Sequence, residues 1–165
     1  YYQSLLGFKK EISYLEVKNF EKYFNLKELI DIKIEYLTTE EAALIKILSF
    51  LIIKPSVLGL DNILSYLSIE NKLKVLKYAK KNEVVILNVT SMSDELLLGT
   101  DIVVLDKYKV VKYSKTNEIL NDDKLLLEIG FEPPFATSLS QGLNYYDLLD
   151  KKYHNNKSLV EAIWK

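Results

Sequence analysis

Hydrophobic and polar positions change period several times along the chain, and each change marks an element. Across residues 11–34, Leu15, Phe20, Phe24, Leu26 and Leu29 recur at helical spacing, which predicts short amphipathic helices anchored by these side chains. Thr38-Thr39-Glu40-Glu41 then supplies a Thr-x-x-Glu pairing. In such a pair the hydroxyl and the carboxylate each satisfy a backbone N–H left open at a helix start. The helix it opens, up to Ile53, is apolar on nearly every side and is expected to be buried. Pro55 ends it, and residues 56–60 form a short apolar run.

From there helical and extended patterns alternate. Residues 69–81 have helical spacing, with Leu73, Val75, Leu76 and Ala79 expected to face inward. Residues 84–89 are almost continuously apolar, as in a strand covered on both faces. A short helix is predicted over 94–98, a strand over 102–105, and a second strand over 109–113 returning across Asp106-Lys107-Tyr108. The tail from Thr116 reads as helical, with a break at Pro133-Pro134 and a second capping box at Ser158-x-x-Glu161. Together these patterns give an α/β fold: a largely parallel sheet, with strands at 57–60 and 84–89, flanked by helices and followed by a hairpin and a helical C-terminal extension. The expected division is residues 1–115 for the α/β region and 116–165 for the extension.

Composition narrows the function. Of the 165 residues 48% are apolar and 27% charged, which permits one cored domain and excludes whole-chain disorder. The longest apolar stretch, residues 42–53, is broken by Lys46 and Ser49 and falls short of a membrane span. Twenty-two basic against 23 acidic residues leave a net charge of −1, which removes the usual argument for nucleic acid as a partner. All the basic residues are lysine, so there is no guanidinium fork for phosphate. Without cysteine, and with His154 as the one histidine, thiolate chemistry and multi-histidine metal centres are excluded. His154, beside Asn155-Asn156, is expected to be a solvated turn residue. Trp164 and the Tyr145-Tyr146 pair are expected to be packing or surface aromatics. A start at Tyr1-Tyr2-Gln3, without Met or a signal-peptide pattern, leads to the expectation of a fragment or processed product.

The stretch opened by Leu37-Thr38-Thr39-Glu40-Glu41 resembles the ABC transporter ATPases. In that family an LSGGQ signature leads through a buried helix to a Lys-Pro, the Walker B strand with its Asp and Glu, and a D-loop. Here the register holds without a gap: Lys54-Pro55 ends the helix, Val57-Leu58-Gly59-Leu60-Asp61 matches the Walker B strand, and Ser65-Tyr66-Leu67-Ser68 the D-loop. Downstream, Leu87-Asn88-Val89-Thr90-Ser91 resembles the strand entering the histidine switch, and residues 100–111 the hairpin after it. The tail, with Ile129-Gly130-Phe131-Glu132-Pro133-Pro134-Phe135 through Gly142 and then Ser158-Leu159-Val160-Glu161, is similar to the C-terminal extension of the energy-coupling factor ATPases. The resemblance implies ATP and Mg²⁺ as cofactors of the full-length family. It also implies a second ATPase subunit, identical or different, and a membrane coupling protein as partners, at the cytoplasmic face of the cell membrane.

The departures carry as much as the matches. Thr39 and Glu40 stand where the family has the glycines that approach a partner's γ-phosphate, and Glu40 and Glu41 add negative charge there. Asn62 stands at the general-base position; an amide can orient water but cannot take its proton. Ser91 replaces the switch histidine. Asp61 is retained, and the resemblance gives it the Mg²⁺ role; read alone, it is a strand-end Asp capping the next turn. Gln3 is a candidate Q-loop glutamine, 34 residues before Leu37. No Gly-x-x-Gly-x-Gly-Lys-Ser/Thr phosphate loop occurs in these residues, so this chain by itself is expected to hold ATP weakly. Three readings follow: part of a hydrolytically impaired transporter ATPase, a non-enzymatic interaction or regulatory module derived from that fold, or an unrelated α/β domain.

Overall fold

The computed structural model describes residues 14–164. They divide between Thr90 and Ser91 into two compact units, each with its own apolar cluster.

The first unit begins with helix α1 (Tyr14–Phe24) and two single-turn 3₁₀ segments, Leu26–Glu28 and Ile34–Tyr36. Phe20 and Phe24, four residues apart, share the buried face of α1 and pack with Tyr23 and Tyr78 into an aromatic cluster. Leu15 lies about 140° around the helix from Phe20 and is exposed, so it is not the anchor that its spacing suggested.

Helix α2 (Thr39–Leu51) starts where the capping box predicts and buries Ala43, Leu44, Ile47, Leu48 and Leu51. It ends at Leu51, two residues short of the expected Ile53. Lys54 adopts a left-handed conformation (φ 50°) and its N–H donates to the Leu51 carbonyl, turning the chain into strand β1 (Val57–Asp61). After a 3₁₀ turn at Leu64–Tyr66, helix α3 (Ile69–Lys81) crosses over to strand β2 (Val85–Val89), which pairs in parallel with β1 from Val57↔Val85 to Asp61↔Val89. Leu58 and Leu60 enter the core beside Val75, Ala79 and Val84. The expectation that residues 84–89 are covered on both faces is corrected here. Val85, Leu87 and Val89 are each at least half exposed, as is Val57 beside them, so one sheet face is bare. An unbroken apolar run reports the strand but not which neighbours cover it.

The second unit opens with a one-turn helix, α4 (Ser93–Leu96), and a hairpin of β3 (Asp101–Asp106) and β4 (Lys109–Lys115). Its two-residue turn is Lys107-Tyr108, both at positive φ, as a mirror-image hairpin turn requires. Helices α5 (Thr116–Leu120), α6 (Asp123–Glu128), α7 (Phe135–Tyr145) and α8 (Asn156–Ile163) follow. Gly130, at φ 65°, closes α6 while Phe131 N–H reaches the Leu126 carbonyl. The break at Pro133-Pro134 precedes α7, as expected. The capping box at Ser158 and Glu161 does not open α8. The Asn155 side chain accepts from Ser158 N–H (2.9 Å) and starts the helix at Asn156 instead, because asparagine is at least as strong a cap as serine.

Candidate functional site

The first unit contains Leu37 to Glu41, Asp61 and Asn62. Ser91 lies in the second unit, exposed just before α4. Gln3 lies outside the described residues.

At the start of α2, Thr38 Oγ1 accepts from Glu41 N–H (3.3 Å). Thr38 N–H and the Thr38 hydroxyl both donate to Glu41 Oε2, each at 2.8 Å. These bonds from Thr38 hold the Glu41 carboxyl below the usual carboxylate range. Thr39 and Glu40 occupy the first helical turn. Glu40 does not close on its own helix. Its Oε1 accepts from Ser68 N–H and from Asn71 Nδ2, both at 2.8 Å, and the bonds from Ser68 and then Asn71 lower its pKa. Ser68 is the N-cap of α3, its Oγ accepting from Asn71 N–H. Nothing in the local pattern announces this contact, which spans 28 and 31 residues of sequence.

Asp61 ends β1 with its carboxylate exposed. Asn62 turns the chain sharply at φ 51°, its N–H donating to the Val89 carbonyl at the end of β2 (2.8 Å). Its carbonyl accepts from the Ser65 hydroxyl (2.5 Å), and its Nδ2 lies 3.5 Å from Asp61 Oδ1, at the limit of a hydrogen bond. The Asn62 backbone is thus fixed from both sides while its side chain is held loosely.

Among the described residues this donor set does not fit a bound metal ion. Among the described residues no three His, Asp, Glu or Cys side chains converge as a metal cluster, and Asp61 has an amide rather than a second carboxylate beside it. Magnesium takes carboxylates together with phosphate oxygens and water.

The second unit holds a polar cluster that sequence reasoning missed. Thr137 Oγ1 and His154 Nδ1 lie 3.1 Å apart, Thr137 and Ser140 are fully buried, and Ser140 Oγ both accepts from Tyr153 N–H (2.9 Å) and donates to the Tyr153 carbonyl (3.0 Å). His154 is therefore a half-buried tether rather than a solvated turn residue. Burial, and then the Lys152 charge, push its pKa below the ordinary value. Trp164, Tyr145 and Tyr146 are surface aromatics.

The chain is similar over 126 residues to the energy-coupling factor transporter ATP-binding protein EcfA1 of Streptococcus thermophilus strain CNRZ 1066, at 25% identity, covering 73% of this chain and 46% of that protein. It is similar over 139 residues to the EcfA1 protein of Mycoplasmopsis synoviae strain 53, at 26% identity, covering 82% of this chain and 50% of that one. The chain thus spans about half the length of the curated relatives it matches. Among solved structures, the ATP-binding cassette of an ABC transporter MJ1267 superposes with a TM-score of 0.57 at 16% identity, covering 77% of this chain and 55% of that one. Its ADP conformation gives the same score over 78% and 55%. No family model matches the chain. The fold is that of part of an ABC ATPase cassette, and the sequence likeness is to the energy-coupling factor type. No described helix is long and apolar enough to cross a membrane.

Proposed function

We propose that this chain, with the fold of an ABC ATPase cassette over about half the length of its relatives, is the C-terminal portion of an energy-coupling-factor-like transporter ATPase subunit with impaired hydrolysis. The observation that carries the proposal is the end of β1. Asp61 is followed by Asn62, an amide with no proton-accepting group, on a backbone anchored to β2. The signature positions support the same reading, since Glu40 is engaged with Ser68 and Asn71 instead of leaving a bare backbone for a phosphate. In the full-length protein Asp61 is at most a residual Mg²⁺ contact, and Ser91 supplies no imidazole to the γ-phosphate.

The partners are a second ATPase subunit, which carries the competent chemistry, and a membrane coupling protein at the cytoplasmic face. The role of this subunit is structural or regulatory. The test is Mg-ATP turnover by the full-length protein with its partner, compared with a variant carrying Asn62→Glu and Ser91→His. Losing either group costs about 10²-fold or more, so the double variant is expected to be faster. Turnover of about 1 s⁻¹ or more by the unmodified full-length protein alone, within the ordinary enzyme range, would contradict the reading.

A second reading is a non-enzymatic interaction module. The bare apolar face formed by Val57, Val85, Leu87 and Val89 favours it, because such a face seeks a cover whether or not nucleotide is involved. The coding sequence upstream of Tyr1 separates the two: a phosphate loop there supports the transporter reading, and a start codon near Tyr1 supports the module.

A further inference from the structure

Two acidic residues sit side by side in the first turn of α2 and do different work. Glu41 folds back on Thr38, the ordinary helix-cap arrangement. Glu40 instead reaches the start of another helix, where one carboxylate oxygen takes both the Ser68 N–H and an Asn71 side-chain N–H. Its charge thereby sits at the N-termini of α2 and α3 together, where both sets of unpaired N–H groups and both helix dipoles favour an anion.

The placement matters for what lies between. Residues 62–67 join β1 to α3. Their first residue is fixed by Asn62 N–H on the Val89 carbonyl, and the residue just past their far end, Ser68, is the one that Glu40 holds. The 3₁₀ turn inside the segment closes on itself, through Tyr66 N–H to the Ile63 carbonyl and Leu67 N–H to the Leu64 carbonyl.

We infer that Glu40 is a positioning residue: its ionised carboxylate fastens the far end of the 62–67 loop to the start of α2, so that the helix start and the loop after Asp61 move as one body. The inference stands on this chain alone and does not rest on the nucleotide reading. Ionisation is essential to it, because a charged acceptor strengthens both bonds over a neutral one. Glutamine keeps the shape and loses the charge; glycine at this position would free the loop.

The experiment is a ¹H–¹⁵N titration of the chain from pH 6 to pH 2. The Ser68 backbone amide and the Asn71 side-chain amide are expected to shift together, with one midpoint below the ordinary glutamate value. In Glu40→Gln that shared titration should vanish, and amide exchange over residues 63–67 should quicken about threefold or more while the α2 core amides keep their rates. The titration is read in the unmodified chain, so it decides even if the variant folds poorly. A Ser68 amide that does not follow the Asn71 side chain, or loop exchange in Glu40→Gln matching the unmodified protein, would overturn the inference.

Discussion

The proposed general-base position holds Asn62, and its backbone decides what that residue can become. At φ 51° it lies in the left-handed region, where a side chain beyond glycine costs about 1–2 kcal/mol and asparagine is among the best tolerated. Its backbone bonds, N–H to Val89 and carbonyl from Ser65, do not depend on its side chain in Asn62→Glu or Asn62→Gly, and its side chain makes only a marginal approach to Asp61. The conformational term is therefore nearly isolated. Asn62→Glu should destabilise the first unit by about 1 kcal/mol, with a small addition from placing a second exposed carboxylate next to Asp61. Asn62→Gly should stay within about 0.5 kcal/mol, since relief of the strained conformation offsets the greater freedom of the unfolded chain. Amide exchange at Leu58 and Leu60 reads this directly: about 1 kcal/mol quickens exchange roughly fivefold. A Glu variant as protected as the parent, or Gly and Glu variants weakened equally, would refute the reasoning. The second outcome would mean that the side chain, not the backbone, matters. Any rise in turnover on restoring glutamate would be gained against this strain.

The remaining predictions concern the cap and the tether. Thr38→Ala should cost about 1 kcal/mol in urea unfolding and Thr38→Ser only a fraction of it, because serine rebuilds the bonds to Glu41. His154 is harder to protonate folded than unfolded, so the unfolded chain takes the proton first. Its contribution to the second unit should be full above about pH 6.5 and decline as pH falls through the lowered folded value, and thermal melts from pH 8 to pH 5 should show this decline flattened in His154→Gln. The carboxylates held low by neighbours, Asp101 by Lys115 and Thr100 and Asp122 by Lys112, should add a separate loss only at more acid pH.

Local chemistry was legible in the sequence wherever a contact closes within a few residues. The Thr38 box and the apolar faces of α2 and β1 announce themselves at spacings of two to four, while the hairpin turn came out one residue tighter than its pattern suggested. The positive φ of Asn62 had a signal too, since asparagine after a strand-end Asp is a common left-handed turn residue. What escaped reading depends on distant neighbours. Leu15 and Leu87 are as apolar as buried residues, and nothing local tells that their side of the helix or sheet is uncovered. His154 stands among polar residues, and only the fold brings the Thr137 hydroxyl to it. Glu40 looked like a charge aimed at a phosphate until Ser68 and Asn71 were placed beside it. At α8 the competition was local but close, and the Asn155 side chain, accepting from Ser158 N–H, starts the helix.

The central proposal is that this chain by itself holds a nucleotide weakly, since the end of β1 offers one exposed Asp with an amide beside it. Calorimetric titration of Mg-ATP into the chain tests it most directly. The expected result is weak or undetectable heat with no saturation through the micromolar range, unchanged by Asp61→Ala. A saturable isotherm with micromolar affinity, lost in Asp61→Ala, would contradict the account and place the phosphates at the end of β1 after all.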